Sequence, residues 1–192
     1  MIGAQQLGKK FGPRWVFRGL TFNLSRGDRL VIVGRNGSGK STLLRSLAGL
    51  LTPSEGKVTW DFGDYRTGLG YAALEMSLYG HLTSEEHLSL SSRLRNCESR
   101  TAELLERVGL VGSTRLPVGQ LSTGQRARLK LALAIQPRPS VLLLDEPGAS
   151  LDEDGRNLVS EICEEQTRAG CLIVATNMPE ERRMATLELE LV

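Results

Sequence analysis

Hydrophobic residues alternate with polar ones at Leu20, Phe22 and Leu24, and again at Val58, Trp60 and Phe62. A period of two belongs to half-buried strands, so the first third of the chain predicts antiparallel-type strands separated by turns. Residues 30–33 break the alternation with a continuous apolar run ending at Gly34, as expected of a strand buried on both faces. Then the period lengthens. Leu43, Leu44, Leu47 and Leu50 recur at helical spacing and predict a helix over residues 40–51, stopped by Gly49 and Pro53. From about residue 75 to residue 135 the chain turns to Leu, Glu and Arg at helical spacing. Thr83-Ser84-Glu85-Glu86 opens this stretch as a capping box, Leu104, Leu105 and Val108 continue it to Gly109, and Ala127, Leu131, Leu133 and Ile135 mark a further helix before Pro137. Short apolar runs return at residues 141–144 and 172–175 around a helical stretch near residues 158–169, as in a β-α-β unit of a parallel sheet. In the tail, Leu187, Leu189 and Leu191 alternate with Glu188 and Glu190 up to Val192, which predicts a half-exposed edge strand. The fold class is therefore α/β: a parallel-sheet core, an N-terminal antiparallel β-lobe, and an α-helical subdomain over about residues 75–135 inserted within one domain spanning residues 1–192.

Composition narrows the function classes. With 192 residues, 40% of them hydrophobic and 24% charged, the chain is neither disordered nor built of membrane spans. Lys and Arg number 24 against 22 Asp and Glu, a net charge of +2 that argues against a dedicated nucleic-acid binder. No apolar run approaches the roughly 20 residues that a spanning helix needs. Residues 1–10 lack a charged segment followed by an apolar one, so the expected place is the cytosol. Cys97, Cys163 and Cys171 lack metal-ligand spacing and read as free thiols.

Three motifs carry chemistry. Gly34-Arg35-Asn36-Gly37-Ser38-Gly39-Lys40-Ser41, followed by Thr42, fits G-x-x-x-x-G-K-[ST] between a predicted strand and a predicted helix. Its glycines let backbone N–H groups turn inward around phosphate oxygens, and the helix N-terminus adds partial positive charge. Lys40 is placed to reach β- and γ-phosphates, and Ser41 to ligate Mg2+. Asp145 and Glu146 follow the buried run Val141-Leu142-Leu143-Leu144, at the strand end where open α/β sheets bind ligands. Asp145 is expected to hold Mg2+ through water, and Glu146 to orient or deprotonate an attacking water. Leu121-Ser122-Thr123-Gly124-Gln125 precedes a helix bearing Arg126, Arg128 and Lys130, and on helix physics alone Ser122 is an N-cap.

The order of these motifs, together with Gly148-Ala149-Ser150-Leu151-Asp152, resembles the nucleotide-binding subunits of ATP-binding cassette (ABC) transporters. Their signature is close to LSGGQ and falls between the phosphate loop and the acidic strand. The resemblance implies a P-loop ATPase that uses ATP and Mg2+ and works as a head-to-tail homodimer. In that arrangement Ser122, Gly124 and Gln125 would meet ATP held by the partner copy, while Ser150 and Asp152 would belong to the loop communicating between sites. It also implies an aromatic stacked on adenine, for which Phe11, expected just before the first paired strands, and Trp15 are both candidates.

Two departures stand out. Where the family has a Gln after the strand near Gly70-Tyr71, alignment by eye places Leu74, followed by Glu75, and Leu cannot ligate a metal. Where it has a His after the buried strand at residues 172–175, this chain has Asn177, which can donate a hydrogen bond but carries no charge. The expectation is slow but real hydrolysis, since Glu146 is retained. His81 and His87 are expected as surface or interface residues of the helical lobe. With no span of its own, such a subunit would lie at the inner face of the cell membrane and dock separate membrane chains through the apolar stretch of Leu74, Met76, Leu78, Tyr79 and Leu82. The shortness and the phrase Ser77-Leu78-Tyr79-Gly80-His81-Leu82-Thr83 are similar to the ATP-binding subunits of cytochrome c maturation, haem-handling exporters. The residues also admit a soluble cassette without a transporter, such as the iron–sulfur-assembly type, or a regulatory module that binds nucleotide and hydrolyses it weakly.

Overall fold

The computed structural model describes residues 1–183 and 185–191; Met184 and Val192 lie outside the described residues. In chain order the elements are β1 (Ile2–Phe11), β2 (Arg14–Leu24), β3 (Arg29–Gly34), α1 (Lys40–Leu47), β4 (Glu55–Trp60), α2 (Tyr65–Gly68), β5 (Leu69–Ala73), α3 (Ser84–Arg95), α4 (Thr101–Arg107), α5 (Thr123–Ile135), β6 (Val141–Asp145), α6 (Glu153–Ala169), β7 (Cys171–Ala175), α7 (Pro179–Arg182) and β8 (Leu187–Leu191). Strands β2, β1 and β4 form an antiparallel sheet in that order. Strands β5, β6, β7, β3 and β8 form a second sheet in which every pairing is parallel.

The central strands are apolar on both faces because both faces are covered. Along β6 and β7 the side chains alternate between two cores. Val141, Leu143, Cys171 and Ile173 join Leu7, Leu24, Leu43, Leu44 and Leu47 between the parallel sheet, α1 and the antiparallel sheet. Leu142, Leu144, Leu172 and Val174 join Leu88, Leu104, Leu129, Leu158 and Ile162 from α3 to α6. The helical stretch thus shares its core with the second face of the sheet. Strand β8 is the expected edge strand, with Leu187 exposed, Leu189 half-buried and Leu191 buried.

Three expectations need correction. The first strand begins at Ile2, so Phe11 closes β1 and does not precede the paired strands. Helix α1 ends at Leu47, short of residue 51, because Gly49 adopts φ +65 and starts a terminal motif. There Gly49 N–H donates to Ser46 O at 3.1 Å and Leu50 N–H to Arg45 O at 2.9 Å, the paired bonds of a Schellman ending. His87 is buried, its ring between the Tyr79 N–H at 3.0 Å and the Thr83 carbonyl at 2.9 Å, while His81 is exposed in the loop before α3.

Candidate functional site

Parallel pairing sets the carboxyl ends of β3, β6 and β7 side by side, and the loops leaving them converge. A cleft of about 650 Å³ opens there, lined by Phe11, Val16, Asn36, Gly37, Gly39, Lys40, Ser41, Thr42, Leu74, Glu75, Asp145 and Glu146. A second cleft, of about 480 Å³, shares Phe11, Asn36 and Gly37 and adds Arg14, Trp15, Arg35 and Ser38.

The loop between β3 and α1 needs glycine at its last step. Gly39 caps α1 with φ +102, where a β-carbon would also run into the Val16 side chain. Lys40 then starts the helix, buried, with its ammonium donating to the Gly34 carbonyl at 2.9 Å and standing 3.6 Å from the Glu146 carboxylate. Asn177 closes the other side. With its amide turned so that both ends are satisfied, it donates to the Gly34 carbonyl at 2.7 Å and accepts from Lys40 Nζ at 3.2 Å. A ring of Gly34, Lys40, Glu146 and Asn177 therefore surrounds one point at the mouth of the sheet.

Asp145 is buried at the end of β6, and its Oδ1 has no hydrogen-bond partner. Burial pushes its pKa up, against the pull of the Ser41 hydroxyl and of the Arg45 and Lys40 cations. Ser38 Oγ is likewise buried without a partner. Such oxygens cost free energy unless a ligand completes them. Glu146 leaves the strand with φ +49, unusual for a residue bearing a side chain, and its N–H donates to Ala175 O at 2.8 Å.

Phe11 is 54% exposed and reaches both clefts, with the Lys9 ammonium 5.1 Å from its ring centre. Trp15 reaches only the second, and its ring carries the Arg18 guanidinium at 4.5 Å and the Lys10 ammonium at 5.4 Å. Leu74 and Glu75 both line the main cleft, so a carboxylate stands beside the leucine, where it pairs with Arg45 of α1.

Ser122, Gly124 and Gln125 line neither cleft. Ser122 caps α5 in a capping box: Gln125 N–H donates to its Oγ at 3.1 Å, and the Gln125 side chain accepts from the Ser122 N–H at 2.9 Å. Capping uses a lone pair of the Ser122 oxygen and leaves its O–H able to donate. Asp152 caps α6 through the Gly155 N–H at 2.9 Å and accepts from Arg128 of α5 at 2.7 Å, so the loop after Glu146 is tied to the helix that Ser122 opens. A β-carbon on Gly124 would sit 3.3 Å from the Ser150 carbonyl, which places Ser150 at the same junction. Arg128, Glu75 and Arg45 gave no motif in the sequence, because their pairing depends on which elements the fold brings together.

A third feature lies beside the site. Arg45, Leu50, Tyr65, Leu69, Tyr71, Glu75, Met76 and Arg95 line a largely apolar groove of about 570 Å³. Met76 belongs to it, while Leu78 packs into the core of the helical side.

A phosphate loop, an acidic pair at the end of a buried strand and a capped LSTGQ helix on one parallel sheet define a P-loop nucleotide-binding protein, and the sequence profile of the ABC transporter family matches residues 17–149. The chain belongs to that family. It is similar to the cytochrome c biogenesis ATP-binding export protein CcmA of Haemophilus influenzae, 34% identical over 189 residues that cover 93% of this chain and 89% of the relative. The protein of the same name from Bradyrhizobium diazoefficiens is 40% identical over 173 residues, 87% of this chain and 86% of its own length. Among solved structures, a dimeric post-hydrolysis state of the ATP-binding cassette MJ0796, bound to ADP and Pi, superposes with a TM-score of 0.90 at 23% identity, over 100% of this chain and 94% of that one. That last similarity concerns the fold.

Proposed function

We propose that the chain is the ATP-binding and ATP-hydrolysing subunit of an ABC transporter whose membrane-spanning part is made by other chains. One observation carries this reading: the phosphate loop, Asp145 and Glu146 line one cleft, with the Lys40 ammonium 3.6 Å from the Glu146 carboxylate and Asn177 bonded to Gly34 and Lys40 beside it. The backbone N–H groups of residues 35–42 cradle the phosphates, with the N-terminus of α1 adding positive charge. Lys40 neutralises the β- and γ-phosphates. Glu146 orients a water and accepts its proton as the oxygen attacks the γ-phosphorus, while the bond to the bridging oxygen breaks and its electron pair leaves with ADP. Asn177 donates to a γ-phosphate oxygen without charge, which makes the reaction slow.

Among the described residues no three His, Cys, Asp or Glu side chains gather as a metal cluster. The donor set still fits Mg2+, which keeps several waters and takes few protein ligands. Ser41 would hold it by its hydroxyl and Asp145 by its unpartnered oxygen through water. The chemistry supplied there is neutralisation of charge on the β- and γ-phosphate oxygens. Phe11 is the better-placed adenine partner, since it reaches both clefts and Trp15 already carries two cations; stacking contributes about 1 kcal/mol.

Ser122, Gly124 and Gln125 stand apart from the cleft of their own chain, which supports a head-to-tail homodimer. There Ser122 and Gly124 complete the γ-phosphate site of the other copy, and Ser150 and Asp152 couple the two. The membrane subunits dock near residues 74–82, on the groove that Met76 lines with Leu50 and Tyr65, and hold the protein at the inner face of the membrane. No helix among the described residues is long and apolar enough to cross a membrane. The CcmA relatives support a narrower cargo class, haem handling in cytochrome c maturation.

Light scattering of the Glu146→Gln variant tests the dimer. Saturating Mg-ATP should double its mass, and a monomer mass under those conditions overturns the arrangement.

A further inference from the structure

Glu181 takes no part in the chemistry above, yet it is a buried carboxylate next to the site. It lies on α7, four residues beyond Asn177, and its Oε1 accepts from the Gly148 N–H at 3.0 Å. Its Oε2 is buried without a partner. Burial pushes the pKa up, against the pull of the Thr176 hydroxyl and then of the Gly148 amide, while the Glu146 and Glu180 carboxylates push the same way as burial.

The chain around Gly148 explains why this bond matters. Glu146 holds a positive φ, a strained conformation that persists only when its surroundings impose it. Its own N–H is fixed to Ala175 O. Pro147 has no N–H to offer, so Gly148 supplies the first backbone donor after Glu146. The contact is close: a β-carbon on Gly148 would lie 2.7 Å from Glu181 Oε1 and 3.1 Å from Met178 Sδ. Farther along, the loop is held separately, by Arg156 on the Leu151 carbonyl at 2.8 Å and by Asp152 capping α6. At the Gly148 end, Glu181 adds to the turn's own bond from the Ala149 N–H to the Glu146 carbonyl at 3.3 Å.

We infer that Glu181 is a positioning residue: its bond to Gly148 fixes the turn carrying Glu146 to the segment carrying Asn177, and so sets where the Glu146 carboxylate stands over the γ-phosphate. This rests on the hydrolytic reading of the site. What the device requires is an acceptor oxygen, with no need for negative charge. Ala175 O before Glu146 and Glu181 after it clamp the turn from one side of the sheet, so motion of either segment carries the other with it.

The test compares wild type with Glu181→Gln and Glu181→Ala in the full chain, by Mg-ATP turnover and by hydrogen exchange of the peptide containing Gly148. Gln keeps the acceptor and should hold kcat within about twofold. Ala should lower kcat about tenfold or more with KM for ATP within twofold, because an ångström-scale misplacement of a catalytic group costs up to about 10²-fold. Exchange at Gly148 should be slow in wild type and Gln and fast in Ala. Equal losses in Gln and Ala, or a loss falling on KM, overturn the positioning role. Should wild type itself show no turnover, the hydrolytic reading fails and exchange still decides the contact: identical Gly148 exchange in wild type and Ala overturns it.

Discussion

Asn177 is the single residue on which the proposed slow turnover depends. Its amide bridges the Gly34 carbonyl and Lys40 Nζ, and in the hydrolysis proposed above it would meet the γ-phosphate without carrying charge. Hydrogen bonds to charged groups contribute about 1.5–3 kcal/mol against about 0.5–1.5 for neutral pairs. Replacing Asn177 by His should therefore raise kcat about fivefold, the equivalent of about 1 kcal/mol; an unchanged or lower kcat would remove Asn177 from the transition state. Asp145 makes a prediction of the opposite kind, in stability. Its raised pKa means that the folded state binds more protons than the unfolded one between the ordinary carboxylate value and the raised one. Stability from this group is lost as pH rises through that window, and the penalty stays in place above it. The Asp145→Asn variant should accordingly melt above wild type at pH 7, with the gap closing as pH falls toward about 4. A gap that widens on acidification would contradict the assignment.

At the scale of elements, the strands and helices that carry the chemistry were legible because pattern and motif agreed. The run at residues 30–33, Gly39 with its positive φ, and the helix opened by Lys40 all follow from side-chain period and glycine geometry. The capping box at Thr83 and the N-cap at Ser122 were legible for the same reason, while the return bond that makes a box at Ser122 was seen only in the structure. Strand β1 was less so: Gln5 and Gln6 interrupt its alternation, and the strand shifts register against β2 after Ala4. His87 could not be read as buried, because its burial depends on the loop folding Tyr79 back over α3. Glu181 was illegible too. Its partner is a backbone amide 33 residues away, brought near only by the pairing of β6 with β7. The capping box of α5 has a structural worth apart from any contact with a second copy. Ser122→Ala should cost about 1 kcal/mol in denaturant unfolding, whereas Ser122→Thr keeps the cap, and equal stability of the Ala variant would show that α5 does not rely on it.

For the whole molecule, two cores meet on opposite faces of one sheet, and the nucleotide cleft sits where the sheet's carboxyl edge joins them. Glu75 lines both that cleft and the apolar groove next to it, so the two surfaces are separated by one ion pair with Arg45. Leu50 is 65% exposed on the rim of the groove, an arrangement suited to a partner that covers it. Leu50→Glu should reduce co-sedimentation with membranes holding the partner subunits about tenfold, with affinity for Mg-ATP measured on the free chain unchanged. Full retention on membranes would move the docking surface elsewhere.

ATP hydrolysis in this cleft through Glu146 stands or falls on one comparison. Phosphate release from Mg-ATP, measured for wild type beside Glu146→Gln with the membrane subunits present, tests it directly. Wild type should show a slow rate that falls at least about 100-fold in the variant, while nucleotide binding persists. Equal rates in the two proteins would contradict it.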